Sequence, residues 1–297
     1  MAVAKRLSRR RPWNEEAITQ FFCDVLDEEI QAEEVLGYTL KRLREDLKAG
    51  DDPLSIDWKI TTTEFTKHQE RHVTQSDIGL IIEYRDQFEP ALSFTKHWLL
   101  QAKRLFSSNS SGRYDGNSKF ESFDTDQHAR IEVLQKAIGE DAIRYLLYCP
   151  RPKLLEIDVR EMLTHARAAA VRGNLFDYSF GLQLREDMLG SDPTVAAGVF
   201  VSDINPFPAD LRSVHTAIFD TTIPFAWFIG AELLRVRLRR PDTDAPSRPD
   251  SQEILARLVR ADHSVIHELE LGQDVRILPR YTAKCTVTAG IDRPRQG

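Results

Sequence analysis

Three side chains in this chain have the types and spacing for chemistry on a phosphodiester: Asp77, Gln101 and Lys103. Gln101 and Lys103 stand two apart in the apolar run His97–Leu105, so on a strand they project from the same face while Ala102 points away. Asp77 opens the strand in the earlier run Ser76–Tyr84, and the segment between the runs, Arg85–Phe94, reads as a long hairpin connection. If the two strands pair, a carboxylate, an amide oxygen and an ammonium group share one patch. Such a set is what a metal-assisted attack on a phosphodiester requires.

The elements around these residues must position them. Asn14 is a good N-cap, and Ile18, Phe21, Phe22, Val25, Leu26 and Ile30 follow at helical spacing. Glu15 and Glu16 fall in the first turn of that helix, where the helix dipole alone favours acidic residues. Glu15 nevertheless shares a face with Ile18 and Phe22, so its carboxylate is expected to be carried toward the sheet. Val35–Leu47 reads as a second helix and Ile56–Phe65 as a first strand. Past Lys103 the loop Ser107–Ser118 is small and polar, and with Arg104, Arg113, Tyr114 and Lys119 it brings positive charge and an aromatic ring to the presumed site. Asp124–Gly139 then reads as a helix and Ala142–Cys149 as a buried strand stopped by Pro150 and Pro152.

The resulting order of helix, strand, strand, strand, helix and strand resembles the PD-(D/E)XK nuclease superfamily, in particular its Gln-x-Lys variants common among bacterial DNA-processing and phage-defence nucleases. The resemblance covers roughly the first half of the chain. It rests on Asp77 at the start of the second strand, Gln101 and Lys103 on the third, and Glu15 on the first helix. Three segments fit the acid-or-Gln, any residue, Lys pattern: Asp46–Lys48, Asp57–Lys59 and Gln101–Lys103. Only the last ends an apolar strand and has an Asp-led strand before it, so context selects it. Ser76 stands where the family has Pro, and Gln101 replaces a charged metal ligand, which Glu15, Glu16 or Glu70 would have to compensate.

The resemblance implies a restriction-endonuclease-like α/β fold with a mixed central sheet. It implies Mg²⁺ or Mn²⁺ held by Asp77, Gln101 and Glu15, with Lys103 orienting water or neutralising developing charge. Residues 1–153 would form the nuclease core and residues 154–297 a mixed α/β extension of unknown role. The implied partner is nucleic acid, with DNA the expected substrate and a second copy of the chain or a phage-defence protein as further candidates. Its rival is a catalytically inactive nuclease-like module that binds nucleic acid or a protein within a defence complex. A third reading, a hydrolase using His165, His215 or His263, lacks the nucleophile elbow Gly-x-Ser-x-Gly.

Composition bounds these readings. The 297 residues are 41% hydrophobic and 29% charged, as in an ordinary globular protein, and can form one large domain or two smaller ones. No apolar run approaches the roughly 20 residues that span a bilayer, and no apolar segment follows the basic N-terminus, so no membrane partner and a cytoplasmic location are expected. Cys23, Cys149 and Cys285 form no Cys-x-x-Cys pair and read as small buried residues. His68 and His72 have ligand spacing on one helical turn without an acidic helical context, and read as ordinary histidines. The net charge of −6 confines polyanion binding to local patches: Arg9–Arg11, Arg104 with Arg113–Lys119, and Arg235–Arg240. Further on, Leu154–Arg172 and Ile254–Val259 read as helical, while Ala197–Ile204, Val265–Leu271 and Ala283–Val287 read as strands.

Overall fold

A computed structural model of the chain describes residues 2–7, 13–48, 54–65, 77–107, 113–120, 125–138, 142–150, 159, 161, 198–218, 220–233, 250–262, 264–269 and 278–291. A short helix α1 (Ala4–Leu7) precedes α2 (Glu15–Leu26), which starts where its cap predicts. Asn14 Oδ1 accepts the Ala17 N–H at 2.9 Å, satisfying one of the open donors of the first turn. The helix stops four residues before Ile30: the Asp27 N–H still closes onto the Cys23 carbonyl at 3.0 Å, but its side chain bonds backbone outside the helix. Its Oδ1 accepts the Glu29 N–H at 2.9 Å and its Oδ2 accepts the Thr62 N–H at 2.6 Å. A short acid that bonds nearby backbone competes with the helix and here ends it. Ile30 is consequently left 57% exposed.

The single helix expected over Val35–Leu47 is two, α3 (Glu33–Leu36) and α4 (Leu40–Lys48). Gly37 separates them at φ 74°, a left-handed conformation that glycine adopts without steric cost. Next come β1 (Leu54–Glu64), β2 (Ile78–Asp86) and β3 (Phe94–Arg104), the last two joined through a 3₁₀ turn at Pro90–Leu92. The chain continues with α5 (Thr125–Ile138), β4 (Ile143–Tyr148), β5 (Val199–Ser202), α6 (Leu211–Thr216), β6 (Thr222–Pro224) and α7 (Phe225–Leu233). It ends with α8 (Ser251–Leu258), α9 (Ser264–Glu268) and β7 (Tyr281–Ile291).

The protein is an α/β chain with a mixed seven-stranded sheet in the order β1-β7-β2-β3-β4-β5-β6. Two compact units divide it: Met1–Thr19 with Leu100–Pro246, and Gln20–Leu99 with Ser247–Gly297. In the second unit β7 lies between β1 and β2, antiparallel to β1 and parallel to β2, with Ile78 opposite Tyr281. A strand from the sequence's far end therefore separates two strands of the expected N-terminal core. Gly79 lets β2 run close against Val259, since a Cβ there would stand 2.9 Å from the Val259 Cβ and 3.0 Å from its Cα and carbonyl oxygen. The Val259 carbonyl, in turn, accepts a hydrogen bond from Thr282 Oγ1 on β7.

In the first unit β4 pairs antiparallel with β5, and β5 with β6. Every residue of β4 is buried, as in a strand covered on both faces, Arg144 included. Its core includes Ile131, Leu134 and Ile138 from α5 with Leu146, Leu147 and Phe200. The segment expected as a strand at Val265–Leu271 begins instead as the helix α9. Asp262 Oδ1 accepts the Ser264 N–H at 2.9 Å, which opens the helix, and Arg257 donates to both Glu268 oxygens at 2.6 and 2.7 Å, which holds its last turn. No helix among the described residues is long and apolar enough to cross a membrane.

Candidate functional site

The first unit brings Glu15, Gln101 and Lys103 to the end of β3. Two contacts fix the first turns of α2 beside the Asn14 cap: Thr19 Oγ1 donates to the Glu15 carbonyl at 3.0 Å, and Tyr148 on β4 donates its hydroxyl to Thr19 Oγ1 at 3.0 Å. With the helix start anchored, Glu15 reaches β3, where its Oε2 accepts the Arg104 main-chain N–H at 2.8 Å. The acidic residue expected to turn toward the sheet does so. Leu105 follows, donating its N–H to the Tyr148 carbonyl at 3.1 Å, so the end of β3 is tied to the strand that also anchors α2.

Gln101 and Lys103 alternate with Ala102 as their spacing predicts, and all three are buried. Gln101 is 3% exposed and its Nε2 donates to the Ala102 carbonyl at 3.4 Å. Lys103 is 7% exposed, and its Nζ donates to Gln127 Oε1 on α5 at 2.6 Å. Among the described residues this ammonium has no carboxylate partner. The competing Lys59 behaves otherwise, being 54% exposed and 3.7 Å from Glu28. Gln127 was not singled out by its type, yet it lies one helical turn before the buried Ile131 on the α5 face that also carries Leu134 and Ile138. A polar residue in phase with a buried helical face was the available signal.

Asp77 belongs to the second unit, immediately before β2. Its carbonyl accepts the Tyr281 N–H at 3.1 Å, which starts the pairing of β2 with β7. Its charge is felt at Cys23, whose thiol is pushed well up, first by burial and then by Asp24, Asp77 and Glu64, with Arg280 opposing. Glu64 accepts from Arg280 Nη2 at 3.2 Å and from the Tyr281 hydroxyl at 3.3 Å. All three cysteines are buried and free, and burial also raises the Cys149 and Cys285 thiols. None has the lowered pKa of a reactive thiolate.

Glu15 and Gln101 supply a carboxylate and an amide oxygen, hard donors of the class that Mg²⁺ and Mn²⁺ prefer. Among the described residues no group of three or more His, Cys, Asp or Glu side chains is placed to hold an ion.

Arg104 and Phe106 lie at the surface end of β3, half-buried, but Tyr114 is buried with its hydroxyl donating to the Leu7 carbonyl at 3.4 Å. That ring belongs to the core rather than to a binding loop. Arg113 and Lys119 are exposed as expected. His215 is buried on α6 against the Phe200 ring, with centroids 5.8 Å apart, and reads as a core histidine. His68, Glu70, His72, His165, His263, Arg9–Arg11 and Arg235–Arg240 lie outside the described residues. Comparison of the chain with protein-family models, curated proteins and solved structures finds no match.

Proposed function

We propose that the protein is a metal-dependent nuclease with a restriction-endonuclease-like core, hydrolysing phosphodiester bonds of nucleic acid, with DNA as substrate, in prokaryotic anti-phage defence. One observation carries the reading: the buried Lys103 ammonium, two residues from the buried Gln101, is met by the neutral amide of Gln127. A buried cation met, among the described residues, by a neutral amide has no counter-charge there to offset its desolvation, and an arriving phosphate supplies one.

In this reading Glu15, Gln101 and Asp77 hold Mg²⁺ or Mn²⁺, with Asp77 assigned by the sequence motif. When bound, the ion polarises the phosphate and lowers the pKa of an attacking water. Glu15 is kept in place by the Arg104 N–H, which anchors its carboxylate beside β3. Lys103 stabilises the negative charge that grows on the phosphate oxygens as the water attacks phosphorus and the ester oxygen departs. Gln127 restrains the ammonium, so that it is aimed before substrate arrives.

The test is purified protein incubated with plasmid, linear and single-stranded substrates, with and without Mg²⁺. Asp77→Ala and Lys103→Ala are each expected to abolish cleavage while the fold persists. A soluble, cooperatively folding Asp77→Ala protein that cuts at the parental rate overturns the assignment of that residue.

A second reading, an inactive nuclease-like module that binds nucleic acid or a protein, is favoured by the same contacts seen differently. Glu15 and Lys103 are already engaged by Arg104 and Gln127 and could serve the fold alone. Under that reading, no metal ion restores cleavage with any of the substrates.

A further inference from the structure

The end of β3 carries two stacked cation–aromatic pairs. The Arg104 guanidinium lies 3.6 Å from the centroid of the Phe106 ring, and the Arg6 guanidinium lies 4.5 Å from that of Trp13. A single bond joins the pairs, since Arg104 Nη1 donates to the Trp13 carbonyl. The same Arg104 holds Glu15 through its main-chain N–H at 2.8 Å. Trp13 itself stands two residues before Glu15 in the chain. The platform and the candidate carboxylate are thus one connected piece of the first unit, and Lys103 is the neighbour of Arg104 in sequence. Arg6, Trp13, Arg104 and Phe106 are all half-buried, so each keeps part of its surface in solvent, whereas Tyr114 nearby is buried.

Ring faces and guanidinium planes recognise different parts of a nucleotide. An aromatic face, or a guanidinium stacked on one, accepts the flat face of a base, and the guanidinium edge meets phosphate. In a duplex the base faces are occupied by neighbouring pairs, and only groove edges and backbone are presented. An unpaired nucleotide offers both its face and its phosphate. The net charge of −6 makes a general electrostatic grip on duplex weak, which places more of the selection on such a local platform.

We infer that Trp13 and Phe106, with Arg6 and Arg104, form a stacking platform for unpaired nucleotides, so that the site at Lys103 acts on single-stranded nucleic acid or on a strand end rather than on intact duplex. The inference rests on the nucleic-acid reading above and narrows its substrate class. Stacking on the platform sets the strand's path, and the phosphate that follows is the one delivered to Lys103.

The experiment is fluorescence anisotropy on the full chain, with Ca²⁺ in place of Mg²⁺ to block turnover. It uses oligo(dT), oligo(U) and a duplex of equal length at low salt. Single strands are expected to bind more tightly than duplex, and the ratio between the two single strands separates DNA from RNA. Trp13→Leu and Phe106→Leu should each weaken single-strand binding on the order of tenfold, the loss of one stacked base, with duplex binding little changed. Trp13→Phe should retain most of it. Duplex binding as tight as single-strand binding, or equal losses for both in Trp13→Leu, overturns the inference.

Should either Leu variant fail to fold, ultraviolet crosslinking of iodouracil-substituted oligonucleotide to the unaltered protein decides. An adduct on Trp13 or Phe106 supports the platform, and adducts confined to other residues overturn it. The two proposals fail separately. Protein that never cleaves but binds single strands through Trp13 keeps the platform and loses the nuclease, while protein that cleaves duplex and ignores Trp13→Leu does the reverse.

Discussion

Arg144 and Lys103 are both cations inside the unit that carries β4 and β5, yet their partners differ in charge. Arg144 is 4% exposed, with its Nε 3.2 Å from Asp203 Oδ1. Burial draws its pKa down and Asp203 opposes, while burial raises Asp203 and Arg144 opposes. Each charge keeps the other ionised, and together they present little net charge to a ligand. Lys103, 7% exposed, meets only the Gln127 amide among the described residues. Among those residues its charge is oriented by an amide and not cancelled by a carboxylate. Pairing with a carboxylate suits a cation that serves the fold, and pairing with an amide suits one that must still attract an anion.

Arg144→Met should show the largest effect of the changes that probe this contrast. It strands the Asp203 carboxylate in a mostly buried position, so urea unfolding is expected to show a loss of about 3 kcal/mol. Lys103→Met is the counterpart and should leave unfolding unchanged or slightly stabilised, because no carboxylate among the described residues is left behind, while cleavage drops on the order of a hundredfold or more. A Lys103→Met protein that unfolds as readily as Arg144→Met would erase the distinction.

Gln127→Glu converts the second arrangement into the first. The new carboxylate should raise the melting temperature and weaken nucleic-acid binding on the order of tenfold, since the ammonium then has its counter-ion within the fold. Its affinity for single strands should also fall less steeply with salt, because each phosphate contact contributes about −0.7 to the slope of log affinity against log salt there. Unchanged affinity in Gln127→Glu would mean that Lys103 does not meet the phosphate.

The smallest effect is expected at His97, a second buried base met by an amide, with Nδ1 3.4 Å from Gln252 Oε1. Burial lowers its pKa from 6.5, the Gln252 bond opposes and the Arg260 charge adds to the lowering. Folded protein therefore binds this proton less readily than unfolded protein does. The stability His97 contributes is complete above the unfolded value of 6.5 and is lost as pH falls from there through the folded value. Melting temperature should decline over that acid interval, and His97→Gln should remove that part of the decline.

Local chemistry made much of this legible in the sequence. The Asn14 cap and the Gln101–Lys103 alternation follow from spacing and residue type, whereas the burial of both side chains, 3% and 7% exposed, does not. The turn of Glu15 toward the sheet follows from spacing too, since it shares a helical face with Ile18 and Phe22. What could not be read were outcomes of competition or of distance along the chain. Asp27 ends α2 through a bond to Thr62, a residue far ahead in sequence, and Arg257 secures a helix where β-branched residues suggested a strand. Gln127 became visible as the partner of Lys103 only once α5 was placed against β3.

The position of β7 has a consequence for synthesis. β1 and β2 each take a long ladder from it, Leu54 opposite Ile291 and Ile78 opposite Tyr281, so neither can complete its pairing until residues 281–291 have left the ribosome. Until then both strands present unpaired edges, and closing the second unit requires contacts across most of the chain. The first unit draws its β4–β5–β6 pairing from residues made earlier. A nascent chain would therefore carry an ordered Lys103 neighbourhood before Asp77 has the strand beside it, and interruption of translation between the two events would leave β1 and β2 open to aggregation.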